Sequence, residues 1–133
     1  MKEVLTIRAL GGGDNLYILT DVKSTLAIVE GDTTFDAEIL LYINTVMGKL
    51  SQLGFAYADT TPIIYDTTAW GDLVGYDTTW EMVRVYIGLS VRVMFDPPTS
   101  SIVLGALNNQ IAELEWRIVN NLNIRGKGGE DIV

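Results

Sequence analysis

The residues with chemical potential in this sequence are carboxylates without accompanying bases. From Phe55 to Asp77 there are four acids, Asp59, Asp66, Asp72 and Asp77, and no Lys or Arg. Two carboxylates at a fixed separation can act as general acid and general base, as in glycosidases. Nothing in this stretch fixes such a separation or marks one acid as buried, so solvated loop acids are the better reading and no catalytic residue is assigned. Neither His nor Cys occurs in the 133 residues. Their absence removes the Ser-His-Asp triad, the thiol nucleophile, the usual zinc sites and any disulfide. No cofactor is expected.

The remaining motifs read as structure. Gly11-Gly12-Gly13-Asp14 is not a dinucleotide fingerprint, because Leu16 stands where the third glycine should fall; it reads as a turn or hinge. Gly126-Lys127-Gly128-Gly129 has no Ser or Thr after the lysine and is not a phosphate loop. Asp32 and Asp36 lack the alternating ligands and terminal Glu of a calcium loop and suit a helix N-terminus instead. Glu113 and Arg117 can pair one helical turn apart. Trp116 lies off the neighbouring Leu stripe, which leaves it either covered by a loop or serving as a contact anchor, and Trp70 carries the same ambiguity.

Composition bounds the class. The formal charge is −8, from 9 Lys and Arg against 17 Asp and Glu, with 48% hydrophobic and 20% charged residues. This is a globular composition, and the length suits one domain. The acidic balance opposes phosphate-neutralising nucleic-acid binding. Met1-Lys2-Glu3-Val4 lacks the basic region and apolar core of a secretion leader, which predicts a chain kept in the cytoplasm or in a particle assembled there. The run Ile39-Leu40-Leu41-Tyr42-Ile43 is far shorter than the ~20 apolar residues of a membrane span, so no membrane association is expected.

Hydrophobic spacing predicts the elements that position these residues. Residues 1–20 read as an extended arm, a strand or hairpin, with Val4, Thr6 and Arg8 alternating against Leu5, Ile7 and Ala9. Thr20 or Asp21 can cap a short helix to about Val29. Thr33 or Thr34 can cap a longer helix over 35–53, in which Ile39, Ile43, Val46, Met47, Leu50 and Leu53 recur at helical steps and Gly54 supplies the stop. Residues 55–77 read as a long loop with one helical turn. Thr78 or Thr79 can cap a helix apolar on both faces, the buried middle of the fold, ended by Asp96-Pro97-Pro98. From Thr99 to Val119, Leu104, Leu107, Ile111, Leu114 and Ile118 form a stripe that suits core packing better than a coiled coil. The expected fold is mainly α: a bundle of about three to four helices over 21–119 with an N-terminal arm and a flexible C-terminal tail, 120–133.

Residues 83–118 carry a more specific signal. Tyr86-Ile87 leads to Val91-Arg92, then to Phe95-Asp96-Pro97-Pro98 with Ser100, Ala106-Leu107 and Glu113-Leu114-Glu115-Trp116-Arg117. Together with Phe35-Asp36-Ala37-Glu38-Ile39 through Gln52-Leu53-Gly54, this stretch resembles the head–tail connector (adaptor) proteins of long-tailed double-stranded-DNA bacteriophages, over roughly residues 20–119. The resemblance implies a non-catalytic virion subunit at the neck. Such subunits form a ring, often a dodecamer, beneath the portal, extend the DNA channel and carry the stopper or tail.

On that reading Trp70, Arg84, Arg92, Trp116 and Arg117 are candidates for ring or neck contacts. Leu122, Asn123, Ile124, Arg125 and Lys127 are candidates for portal docking. The acid-only loop, with Asp59, Asp66, Asp72 and Asp77, is the candidate for the lumen or edge, where double-stranded DNA passes without specific binding. The alternatives are another neck or tail-completion protein, a non-viral helical interaction module, or a carboxylate-dependent hydrolase.

Overall fold

The computed structural model describes residues 16–54, 63–73 and 78–132, with backbone alone at 78–80 and 122–132. Among the described residues four helices follow one another: α1 (Ile18–Thr25), α2 (Asp36–Gln52), α3 (Thr78–Phe95) and α4 (Ser101–Ile132), with a short 3₁₀ turn at Trp70–Asp72 between α2 and α3. Among the described residues the β structure is one antiparallel bridge, Tyr17 with Ala69.

Apolar burial decides where α1 begins. Ile18, Leu19 and Val22 share one face and are buried, so the helix starts at Ile18 rather than after a cap at Thr20 or Asp21. The N-cap residue, Tyr17, makes no side-chain cap bond. Just ahead of the helix the chain is pinned by two backbone bonds: Trp70 N–H donates to Leu16 O (3.1 Å) and Ile18 N–H to Thr68 O (2.9 Å). Of the expected arm, residues 1–15 lie outside the described residues, Leu16 and Tyr17 lead into the bridge, and 18–20 are helical. The helix also ends before Val29, because Ala27 takes a left-handed φ of 60°.

The 3,4 spacing of α2 buries Ile39, Ile43, Val46, Met47 and Leu50. Thr33 and Thr34 do not cap it; Phe35 occupies the N-cap position, and Asp32 Oδ1 accepts the Thr34 N–H (3.0 Å) in the turn before. Gly54, at φ 103°, ends the helix as expected, since glycine reaches that region without a Cβ clash.

The middle of the fold is α3, which packs on α1, α2 and α4. Its Val83, Tyr86, Ile87 and Val91 are buried. Asp96 N–H closes the last turn on Arg92 O (2.9 Å), and Pro97 prevents a further one. Against α3 lies the α4 stripe, with Leu107 and Ile118 buried and Ile111 and Leu114 packed on the core. It is therefore a core stripe and not a coiled-coil seam within the subunit. Here the expected boundary is corrected: α4 does not stop at Val119 but continues to Ile132. No proline interrupts residues 119–132. Propagating an existing helix adds one hydrogen bond per residue fixed, which offsets a glycine penalty of about 1 kcal/mol each. Among the described residues no helix is long and apolar enough to cross a membrane.

Candidate functional site

Two carboxylates that the sequence analysis named only as a helix cap and as part of a motif organise the interior. Asp21, on the first turn of α1, accepts hydrogen bonds from Trp70 Nε1 (3.0 Å), Arg84 Nε (2.6 Å) and Arg84 Nη2 (3.1 Å). One side chain thus ties α1 to the 3₁₀ turn and to α3. The Asp21 bond raises the pKa of Arg84, against the opposing effect of burial. Glu115 on α4 accepts from Tyr86 Oη of α3 (2.7 Å) and pairs with Lys49 Nζ of α2 (2.9 Å). Burial works to raise the Glu115 pKa, but the bonds from Lys49 and Tyr86 outweigh it, and the group is held below the ordinary carboxylate range. The same bond and burial push the Tyr86 phenol up.

A third tie holds the loop. Asn44 on α2 grips the Ile64 peptide from both sides, its Nδ2 donating to Ile64 O (3.1 Å) and its Oδ1 accepting Ile64 N–H (2.8 Å). Ile64 is buried, while its neighbours Ile63 and Tyr65 are 64% and 60% exposed.

The expected contact residues divide sharply. Trp70 is corrected from interface to core: it is 1% exposed, because its indole is drawn under α1 by Asp21. Arg84 makes a bidentate bond to Asp21 inside the subunit, while 32% of its side chain stays exposed. Arg92 is exposed on α3. Trp116 is 67% exposed, and among the described residues no loop covers it. Arg117 is exposed and pairs with Glu113 (2.8 Å), as the spacing suggested.

Of the loop acids, Asp66 is exposed in a turn, and the exposed Asp72 accepts the Ala69 N–H (2.9 Å) to cap the 3₁₀ turn. Asp59 and Asp77 lie outside the described residues. Leu122, Asn123, Ile124, Arg125 and Lys127 fall on the backbone of the last part of α4, and their side chains lie outside the described residues.

The side of α2 turned away from the core carries Leu41, 64% exposed, and α4 carries Ile102, 84% exposed, together with Trp116. A groove between α3 and α4 is floored by Val85, Leu89 and Leu114 and rimmed by Gln110, Glu113 and Arg117. Among the described residues no group of three or more Asp or Glu side chains is placed to hold a metal ion.

Neither the curated proteins nor the solved structures yield a match. A family model described as phage connector protein matches residues 18–123. That span opens on the first residue of α1 and takes in all four helices up to the part of α4 beyond the core. With its helices tied inward by Asp21 and Glu115 and its apolar side chains left on the outer helices, the chain belongs to the phage connector protein family.

Proposed function

We propose that this phage connector protein, a structural component of the phage particle, is the head–tail adaptor subunit: a ring of copies beneath the portal, at the neck, that extends the DNA channel and presents a platform for the stopper or tail. The observation that supports this best is the family match across the whole helical bundle. Exposed Leu41, Ile102 and Trp116 support it further, because a ring subunit needs apolar surface on more than one side. In this reading the protein is assembled in the host cytoplasm and catalyses no reaction. Double-stranded DNA passes through the ring without being held. The exposed Asp66 and Asp72 belong to the channel or its edge, where carboxylates repel phosphates.

The continuation of α4 to Ile132 supports a docking role for its end. A helix running past Ile118, its last buried core residue among the described side chains, is available to enter a site on the portal. Removal of 121–133 then abolishes portal binding and leaves the bundle folded; undiminished portal binding sinks that assignment.

The whole reading is tested in the parent virus by a stop codon at Trp116 and electron microscopy of the lysate from a non-suppressing host. Separate DNA-leaking heads and free tails are expected. Normal infectious particles overturn the neck assignment.

A further inference from the structure

We infer that copies of this chain join head to tail, with the outer face of α4 from one copy lying against the outer face of α2 from the next. This rests on the ring reading above and names the surfaces that make the ring. Both helices pack on α3, and Lys49 of α2 pairs with Glu115 of α4 (2.9 Å) beside that packing. Their outward faces are alike in an unusual way. On α2, Ala37, Leu41, Thr45 and Gly48 follow one another at helical steps on the side away from buried Ile39, Ile43 and Met47. On α4, Ile102, Gly105, Asn109, Ala112 and Trp116 do the same on the side away from Leu107 and Ile118, and all five are exposed. The residues named are uncharged, and from Ser101 to Ala112 there is no charge at all; the exposed Glu113, one turn beyond Asn109 on the same face, is paired with Arg117 (2.8 Å).

A solvated helix face is ordinarily charged or polar. These two stay neutral in a chain of net charge −8 and each keeps a large apolar side chain in water, Leu41 on one and Ile102 and Trp116 on the other.

The occupant follows from the charge. Copies of an acidic chain repel one another, and a contact through these faces, where Glu113 is held by Arg117, sets no unpaired carboxylate against another. A basic partner would instead be met by an acidic face. Two different faces also make a heterologous contact, which gives each copy two neighbours and closes a ring when the rotation between copies returns on itself, whereas a two-fold dimer uses one face twice.

Glycine placement agrees. A Cβ added at Gly48 or Gly105 meets nothing within 4 Å, so nothing inside the subunit requires either glycine, although each weakens its helix relative to alanine. Gly88 differs, because a Cβ there would touch Thr25 Cγ2 at 3.6 Å, the contact of α3 with α1. Close approach of a second backbone gives Gly48 and Gly105 the same reason from outside.

The test uses the full chain, which has no cysteine of its own. Thr45→Cys and Asn109→Cys are introduced singly and together, and purified phage particles carrying them are treated with a short bis-maleimide. The double variant is expected to give a ladder of linked subunits reaching the full ring, and each single variant no linked product. Linked pairs from either single variant, or no ladder from the double variant in particles that retain the chain at the neck, overturn the α2–α4 contact and leave the ring reading standing. Absence of the chain from wild-type particles overturns both. A second measurement keeps folding separate: Gly48→Gln and Gly105→Gln should fold with an undiminished thermal midpoint yet lose ring assembly. Rings formed as well as by the wild type would count decisively against the inferred contact.

Discussion

The junction around Asp21 and the outer faces of α2 and α4 are built on opposite plans. At the junction a carboxylate is surrounded by donors from two other elements, and an indole and a guanidinium that would suit an interface are consumed inside the subunit. On the outer faces neutral and apolar side chains remain in water, with nothing among the described residues covering them. The contrast teaches that residue type does not reveal a contact surface. Trp70 and Trp116 are the same residue in the same acidic chain, yet one is 1% and the other 67% exposed. What separates them is a hydrogen-bond acceptor at the right place on a neighbouring helix.

The largest expected effect comes from breaking the junction. Trp70→Ala removes a buried aromatic and should lower unfolding free energy by about 3–5 kcal/mol, read from urea denaturation. Next is Asp21→Ala, which strands the Arg84 guanidinium and the Trp70 N–H; a loss of about 2–3 kcal/mol is expected in the same assay. If Asp21→Ala leaves stability unchanged, the junction does not hold α1 to α3.

Glu115→Gln tests the second tie, with an expected loss of about 1–2 kcal/mol. Its pH dependence has a definite sign. The folded-state pKa of Glu115 lies below its ordinary value of 4.5, so its contribution is complete above that pH and is lost as the pH falls through the folded value. Wild-type stability should therefore drop on the acid side more steeply than that of Glu115→Gln, and parallel acid limbs would show that the Lys49 and Tyr86 bonds do not stabilise the fold.

The smallest effects on the isolated subunit belong outside. Trp116→Ala should change its stability by less than about 0.5 kcal/mol while reducing assembly into particles. Arg117→Ala, which loses only an exposed pair with Glu113, should cost about 0.3–0.5 kcal/mol. A large stability loss at Trp116 would mean that the outer face of α4 is covered within the subunit, and the comparison between the two regions would fail.

Much of the helical framework was legible because periodicity is local. The 3,4 spacing of Ile39 through Leu50, the stop at Gly54 and the break at Pro97 each depend on a few neighbouring residues, and α2 and α3 follow them closely. The start of α1 was less legible. A cap at Thr20 or Asp21 is a local preference worth about 1 kcal/mol, and burying Ile18 and Leu19 against distant elements outweighs it. The end of α4 was missed because glycines weaken a helix without forbidding it.

Sequence by itself determined the class of protein: an acidic helical chain without His or Cys, with apolar stripes at helical spacing and segments resembling phage connectors. Tertiary structure decided which polar residues are internal ties and which side chains face outward. Asp21 meets donors 49 and 63 positions away, and Asn44 meets a peptide 20 positions away. A periodic pattern states that a helix has an apolar face, but what that face and its flanking polar groups meet depends on how the helices are brought together.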